Sequence, residues 1–138
     1  MKIVINKCFG GFGLSHEGMM RYAELKGLTL YPEGDDCYMI YWTVPPKDHV
    51  ARLSSDAFYA MSAEARAEYV RKYSEQTLYN RDIPRNDPAL VQVVEELGDK
   101  ASDRFAELKV VEIPDEVAWE INEYDGLEYV AEVHRTWS

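Results

Sequence analysis

Asp125-Gly126 lies between two strand-like runs, residues 117–124 and 127–137, and constrains the fold more than any other feature of the chain. A two-residue loop of this composition selects a type I′ turn, because both central residues must take positive φ and Asp-Gly does so at little cost. The turn also sets the register of the hairpin. Ile121 falls opposite Val130 and Trp119 opposite Glu132 on one face, with Tyr124 opposite Leu127 on the other. Neither face is uniformly apolar, so the pattern leaves open which one is buried.

Helix starts and stops punctuate the rest. Residues 2–8 form a β-branched run closed by Gly10, Gly11 and Gly13. Ser15 then offers a capping oxygen to a stripe of Met19, Met20, Tyr22, Ala23 and Leu25 that stops at Gly27. A short strand over 28–31, a turn over 32–36 and a strand over 37–44 read as a hairpin. In the second of these strands Tyr38, Ile40, Trp42 and Val44 share one face while Met39 and Tyr41 take the other, which argues for a central position, and Pro45-Pro46 ends it. Residues 47–60 carry little signal beyond a cap at Ser54-Ser55-Asp56. Ser62 caps a helix in which Ala65, Tyr69, Tyr73 and Thr77 recur every four residues, with Glu68 and Lys72 paired outside, ending near Tyr79. After the loop 80–86, Asp87-Pro88 combines an N-cap aspartate with proline at the first helical position, and Leu90, Val93, Val94 and Leu97 form a stripe that stops at Gly98. Residues 108–113 read as a strand closed by Pro114. No repeat or linker interrupts this order. The sequence predicts an α+β fold: a single compact domain over residues 1–138, with a mixed β-sheet, about three helices and the C-terminal β-hairpin.

A chain of 138 residues with 46% hydrophobic content supplies one core without a disulfide or metal. Met1 leads straight into Ile3-Val4-Ile5 with no long h-region, and no apolar run approaches the ~20 residues of a membrane span. A cytoplasmic protein with reduced thiols at Cys8 and Cys37 is expected, with no membrane partner. The net charge of −10 argues against direct binding to nucleic acid, because a phosphate backbone rewards clustered Lys and Arg. The carboxylates read as a solvated surface, or as a face that meets a basic protein groove. His16, His49 and His134 are scattered and no Cys-x-x-Cys occurs, so neither a metal nor a cofactor is expected. Glu95 and Glu96 are adjacent on a helix and point apart, which excludes an acid/base couple. Ten tyrosines and three tryptophans suit either a core with polar tips or an interface.

Two segments carry candidate chemistry. Cys8-Phe9-Gly10-Gly11-Phe12-Gly13-Leu14-Ser15 joins a strand to a helix, where glycines let backbone N–H groups approach an anion and the helix end adds positive partial charge. Its candidate ligand-binding residues are Cys8, Gly10, Gly11, Phe12, Gly13 and Ser15. The spacing is neither a Walker A loop nor a dinucleotide fingerprint. The competing reading is a tight turn whose phenylalanines pack on the sheet. Cys8 would be a nucleophile if it faced the helix N-terminus, with His16 as a base that lacks an orienting group; otherwise it is a buried structural cysteine. The second segment adds Arg81, Arg85 and Asp87 as candidate ligand-binding residues: the two arginines precede the helix that Asp87 caps, and guanidinium forks beside helix N–H groups favour a planar anion such as a nucleotide phosphate. The alternative is that Arg85 pairs with Asp82 or Asp87 and only fixes the loop. No catalytic residue is assigned.

The run Ile3-Val4-Ile5-Asn6-Lys7-Cys8-Phe9-Gly10-Gly11-Phe12-Gly13-Leu14-Ser15 resembles the opening of a family of small bacteriophage and prophage proteins. Further matches are Arg85-x-Asp87-Pro88 with the helix over 90–98, Val110-Val111-Glu112-Ile113-Pro114, and Trp119 through Tyr124-Asp125-Gly126 to Trp137. The resemblance covers both ends and the middle and fades over 35–78. This family has no assigned activity, so the resemblance implies a phage setting within a host cell and supplies no catalytic residue. The leading expectation is a non-enzymatic phage accessory protein that binds a small anionic ligand, such as a nucleotide or host signalling nucleotide, in a counter-defence role. The rivals are a module whose acidic and aromatic surface inhibits a host protein, and an enzyme acting on nucleotides or thioesters through Cys8. A homo-oligomer stays open.

Overall fold

The computed structural model describes residues 1–35 and 38–133. In chain order the elements are β1 (Lys2–Asn6), α1 (His16–Lys26), β2 (Tyr31–Gly34), β3 (Met39–Trp42), α2 (Ser55–Ala60), α3 (Ala63–Gln76), α4 (Pro88–Leu97), β4 (Leu108–Glu112), β5 (Trp119–Tyr124) and β6 (Leu127–Glu132). Cys37 of the expected strand, Asp36 of the expected turn, and His134 and Trp137 at the expected hairpin end lie outside the described residues. The α+β class is as expected. The chain divides into two units, one of Met1–Gly27 with the chain from Asn80 onward, the other Leu28–Tyr79. No helix among the described residues is long and apolar enough to cross a membrane.

In the first unit the helix ends follow local rules. Ser15 Oγ accepts from the Gly18 N–H at 2.9 Å, and Gly27 closes α1 at φ 69°. Met19, Tyr22 and Ala23 of α1 are buried, as are Leu90, Val93 and Val94 of α4, which packs on α1, β1 and β4. The hairpin has the expected register, with Trp119 opposite Glu132, Ile121 opposite Val130 and Tyr124 opposite Leu127. Its turn residues Asp125 and Gly126 take φ of 49° and 89°, the positive pair that a type I′ turn requires.

In place of one mixed sheet, the described strands form three two-stranded antiparallel ladders: β1 with β4, β2 with β3, and β5 with β6. The chemistry at the outer edge of β1 accounts for the first of these. Met1 and Ile113 exchange main-chain hydrogen bonds in both directions, which phases the ladder so that Ile3 and Ile5 bond to β4. The intervening residues turn their N–H and C=O to the opposite edge. There the Val4 N–H donates to the Arg85 carbonyl at 2.8 Å, and the Val4 carbonyl accepts from Arg85 Nη1 at 3.3 Å. The Asn6 N–H donates to Glu128 Oε1 at 2.8 Å. A buried ion pair thus occupies positions that a neighbouring strand would otherwise fill.

Asp87 caps α4 as the Asp-Pro signal predicts, accepting from the Ala89 N–H at 2.8 Å. Its other oxygen accepts from the Tyr22 hydroxyl at 2.8 Å and lies 3.4 Å from Lys26 Nζ. Burial alone pushes the Asp87 carboxyl up, but the Tyr22 hydroxyl, the Ala89 amide and the Lys26 ammonium outweigh it and hold the group below the usual aspartate range. Burial and the same hydrogen bond push the Tyr22 hydroxyl well up, so it stays a donor at any working pH. A depressed carboxyl contributes stability above its unfolded-state value of about 3.9, and that contribution is lost as pH falls through the folded value. Asn at position 87 keeps a capping oxygen but no charge. The stability advantage of the native protein over Asp87→Asn is therefore expected to be constant near neutrality and to shrink between about pH 5 and pH 2, as read by urea unfolding at each pH. A pH-independent difference would contradict the assignment.

The second unit departs from the expected hairpin. The strand begins at Tyr31 and takes in Pro32, Glu33 and Gly34, which the sequence pattern assigns to a turn. Mutual bonds between Asp35 and Tyr38 phase this ladder so that Pro32 falls opposite Tyr41 in a non-hydrogen-bonded pair, where its missing N–H is not needed. The outer edge of β3 is taken by 76–78: the Thr43 N–H donates to the Gln76 carbonyl and the Leu78 N–H to that of Tyr41. Both edges of β3 are occupied, although among the described residues no third strand joins it. Residues 47–60, nearly silent in sequence, supply the extra helix α2 under a Ser54 cap, and Ser62 caps α3. That helix stops at Gln76 rather than near Tyr79 because Thr77 turns extended to bridge Trp42. Trp42 is fully buried, its ring stacked on His49 at 3.8 Å and met edge-on by Tyr73, and its indole N–H donates to Glu33 at 3.0 Å.

Candidate functional site

The glycine loop lies where three segments of the first unit meet. A Cβ at Gly10 would overlap the Phe105 carbonyl, one at Gly13 the Asp103 carboxylate, and one at Gly126 the Phe9 carbonyl and Gly11 nitrogen. These glycines admit the protein's own backbone and side chains. Asn6 ties the junction together. It is fully buried, donates to the Cys8 and Gly126 carbonyls at 2.7 Å each, and accepts from the Glu107 N–H at 2.8 Å.

The sequence-selected residues are mostly engaged within this junction. The Cys8 thiol lies 2.8 Å from the Phe105 carbonyl oxygen and 3.4 Å from Asn6 Oδ1, both acceptors, and His16 is not among its partners. Ser15 caps α1, donates to the Lys100 carbonyl at 2.5 Å and bonds through its N–H to Ala101, so the segment 98–101 covers this helix end. Phe12 is buried and Phe9 is 62% exposed, so only one of the loop phenylalanines packs inside.

Arg85 pairs with neither of the partners weighed from sequence, Asp82 and Asp87. Its guanidinium is bidentate on Glu128 at 2.6 and 2.9 Å, lies 3.6 Å from the centroid of the Phe12 ring and is largely buried. Glu128 is brought there by the hairpin. Asp87 is consumed by its cap and by Tyr22. Arg81 differs: it is exposed, its Nη2 stands 3.4 Å from where a Cβ of Gly11 would lie, and among the described residues no hydrogen bond or ion pair engages it. Gly11 itself sits at φ 88°.

Around the junction, aromatic groups from three segments face solvent. Phe9 is 62% exposed, Phe105 65% and Tyr124 74%, with the Arg104 guanidinium 5.7 Å from the Phe105 ring centroid. Sequence reasoning missed Asn6, Glu128, Arg104 and Phe105. The available signals were a polar residue ending the β-branched run and a carboxylate in a hairpin strand, and neither names its partner. No protein-family model matches the chain, and neither the curated proteins nor the solved structures yield a match.

Proposed function

We propose that this protein is a non-catalytic binding module that engages another protein through Phe9, Phe105 and Tyr124, with Arg81 and Arg104 beside them. The observation that carries this reading is the exposure of three large aromatic side chains around one tightly tied junction. Rigid aromatics and arginines on an open surface suit a protein partner, because they contribute most of the energy of protein interfaces, whereas a small ligand needs a concave site to bury it. The phage resemblance expected from sequence supports a host factor in the host cytoplasm as that partner. Placing a photo-crosslinking phenylalanine analogue at Phe9 or Phe105 in host cells is expected to trap one stoichiometric protein, and Arg81→Glu is expected to abolish the adduct. A crosslinker at Tyr59, in the other unit, serves as control. Absence of any adduct specific to the junction positions would refute the reading.

Arg81 supports a second reading, a small anion held between its guanidinium and Gly11, because that cation has no acidic partner among the described residues. A nucleotide present at a hundred times its dissociation constant would raise stability by about 2.7 kcal/mol, and Arg81→Ala would remove the shift. Arg85→Ala is the wrong test, since that side chain is part of the fold.

A further inference from the structure

A cleft of about 540 Å³ opens beside the start of β1 and α4, lined by Met1, Lys2, Asn86, Val91, Gln92 and Glu95 among others, a volume typical of ligand sites. No residue of the glycine junction lines it. The strand edge at its side is incomplete. The phase set by Met1 and Ile113 turns the Lys2 N–H and C=O away from β4, onto the edge where Arg85 serves Val4 and Glu128 serves Asn6. At Lys2 no described residue takes either main-chain group. Asn86, next in sequence to Arg85, stands on the cleft wall with its Nδ2 near the Met1 sulfur at 3.9 Å.

A donor and an acceptor on one residue of an open strand edge are the pair that an extended main chain satisfies with two hydrogen bonds. The adjacent cleft offers Met1, Pro88 and Val91 to an apolar side chain. Its charged rim holds Glu95, paired with Lys2 at 3.0 Å and half-exposed, and Glu96, already bidentate on Arg21 of α1 at 2.9 and 3.2 Å, on a chain of net charge −10. That balance favours a basic flank on whatever binds. We infer that this cleft takes an extended peptide segment of another polypeptide by strand addition at Lys2. An aliphatic side chain sits on Met1, Pro88 and Val91, and a Lys or Arg lies beside Glu95, whose pairing with Lys2 is exposed. The site is separate from the junction surface, and the fate of either reading leaves the other standing.

The test is selection of random displayed heptapeptides on the full chain, counter-selected on Gln92→Trp, which fills the cleft from an exposed position of α4. Recovered sequences are expected to share an aliphatic residue flanked by Lys or Arg. A synthetic consensus peptide should shift the Lys2 amide resonance of the unaltered protein, and N-methylation of the peptide residue opposite Lys2 should weaken binding about tenfold. The methylation arm needs no variant protein. Failure to enrich any sequence over Gln92→Trp, an acidic consensus, or binding indifferent to N-methylation would each overturn the inference.

Discussion

Arg85→Ala is expected to lower the free energy of unfolding by about 3–5 kcal/mol, measured by urea titration at neutral pH. The substitution leaves Glu128, 5% exposed, as a buried carboxylate whose remaining donor is the Asn6 N–H. It also strips the Val4 carbonyl of a donor and uncovers the Phe12 ring. Removing one partner of a buried pair costs more than replacing both by apolar groups, because the survivor keeps its desolvation penalty. Arg85→Met combined with Glu128→Leu should therefore be more stable than Arg85→Ala alone, despite the unpaired Asn6 amide. A single variant within about 1 kcal/mol of the native protein would show that the ion pair does not support the β1 edge, and would return Arg85 to the pool of ligand-binding groups.

Trp42→Ala should cost a comparable amount, about 3–5 kcal/mol, the usual range for deleting a large buried aromatic. Neither α2 nor α3 fully buries a residue, so among the described residues of Leu28–Tyr79 the buried apolar groups reduce to Leu30, Ile40, Tyr41 and Trp42. Loss of the indole also removes the stacking surface of His49, the edge contact of Tyr73 and a donor to Glu33, which then keeps only its exposed pairing with Arg52 and the more distant His49. Hydrogen exchange gives the local readout. The Leu78 amide, bonded to the Tyr41 carbonyl on the outer edge of β3, should lose its protection in the variant. Unchanged protection of Leu78 would mean that the Trp42 cluster does not hold that edge.

Local chemistry explains why some elements are readable in the sequence and others are not. Ser15, Ser54, Ser62 and Asp87 cap helices whose N–H groups lie two or three residues away, and Gly27 closes α1 with bonds reaching back only to the preceding turn. Asp125-Gly126 fixes the β5–β6 register because a two-residue loop leaves no alternative pairing. The second unit was harder to read. Pro32 is compatible with a strand only in the phase that Asp35 and Tyr38 impose, and α3 ends where Thr77 finds Trp42.

At the candidate site the legible part was the place rather than the chemistry. The glycine loop and the arginine segment do meet, at Gly11 and Arg81, but the sequence carries no mark separating a glycine that admits a ligand from one that admits a carbonyl. Both need the absence of a Cβ. Likewise Arg85 had two acidic neighbours in sequence, yet its partner is Glu128, 43 residues distant. Caps, turns and hairpin register depend on groups a few bonds apart along the chain, and the sequence alone determined them. The edge of β1, the engagement of Arg85 and the exposure of Phe9 depend on which distant segments arrive beside them, and only the tertiary structure decided those.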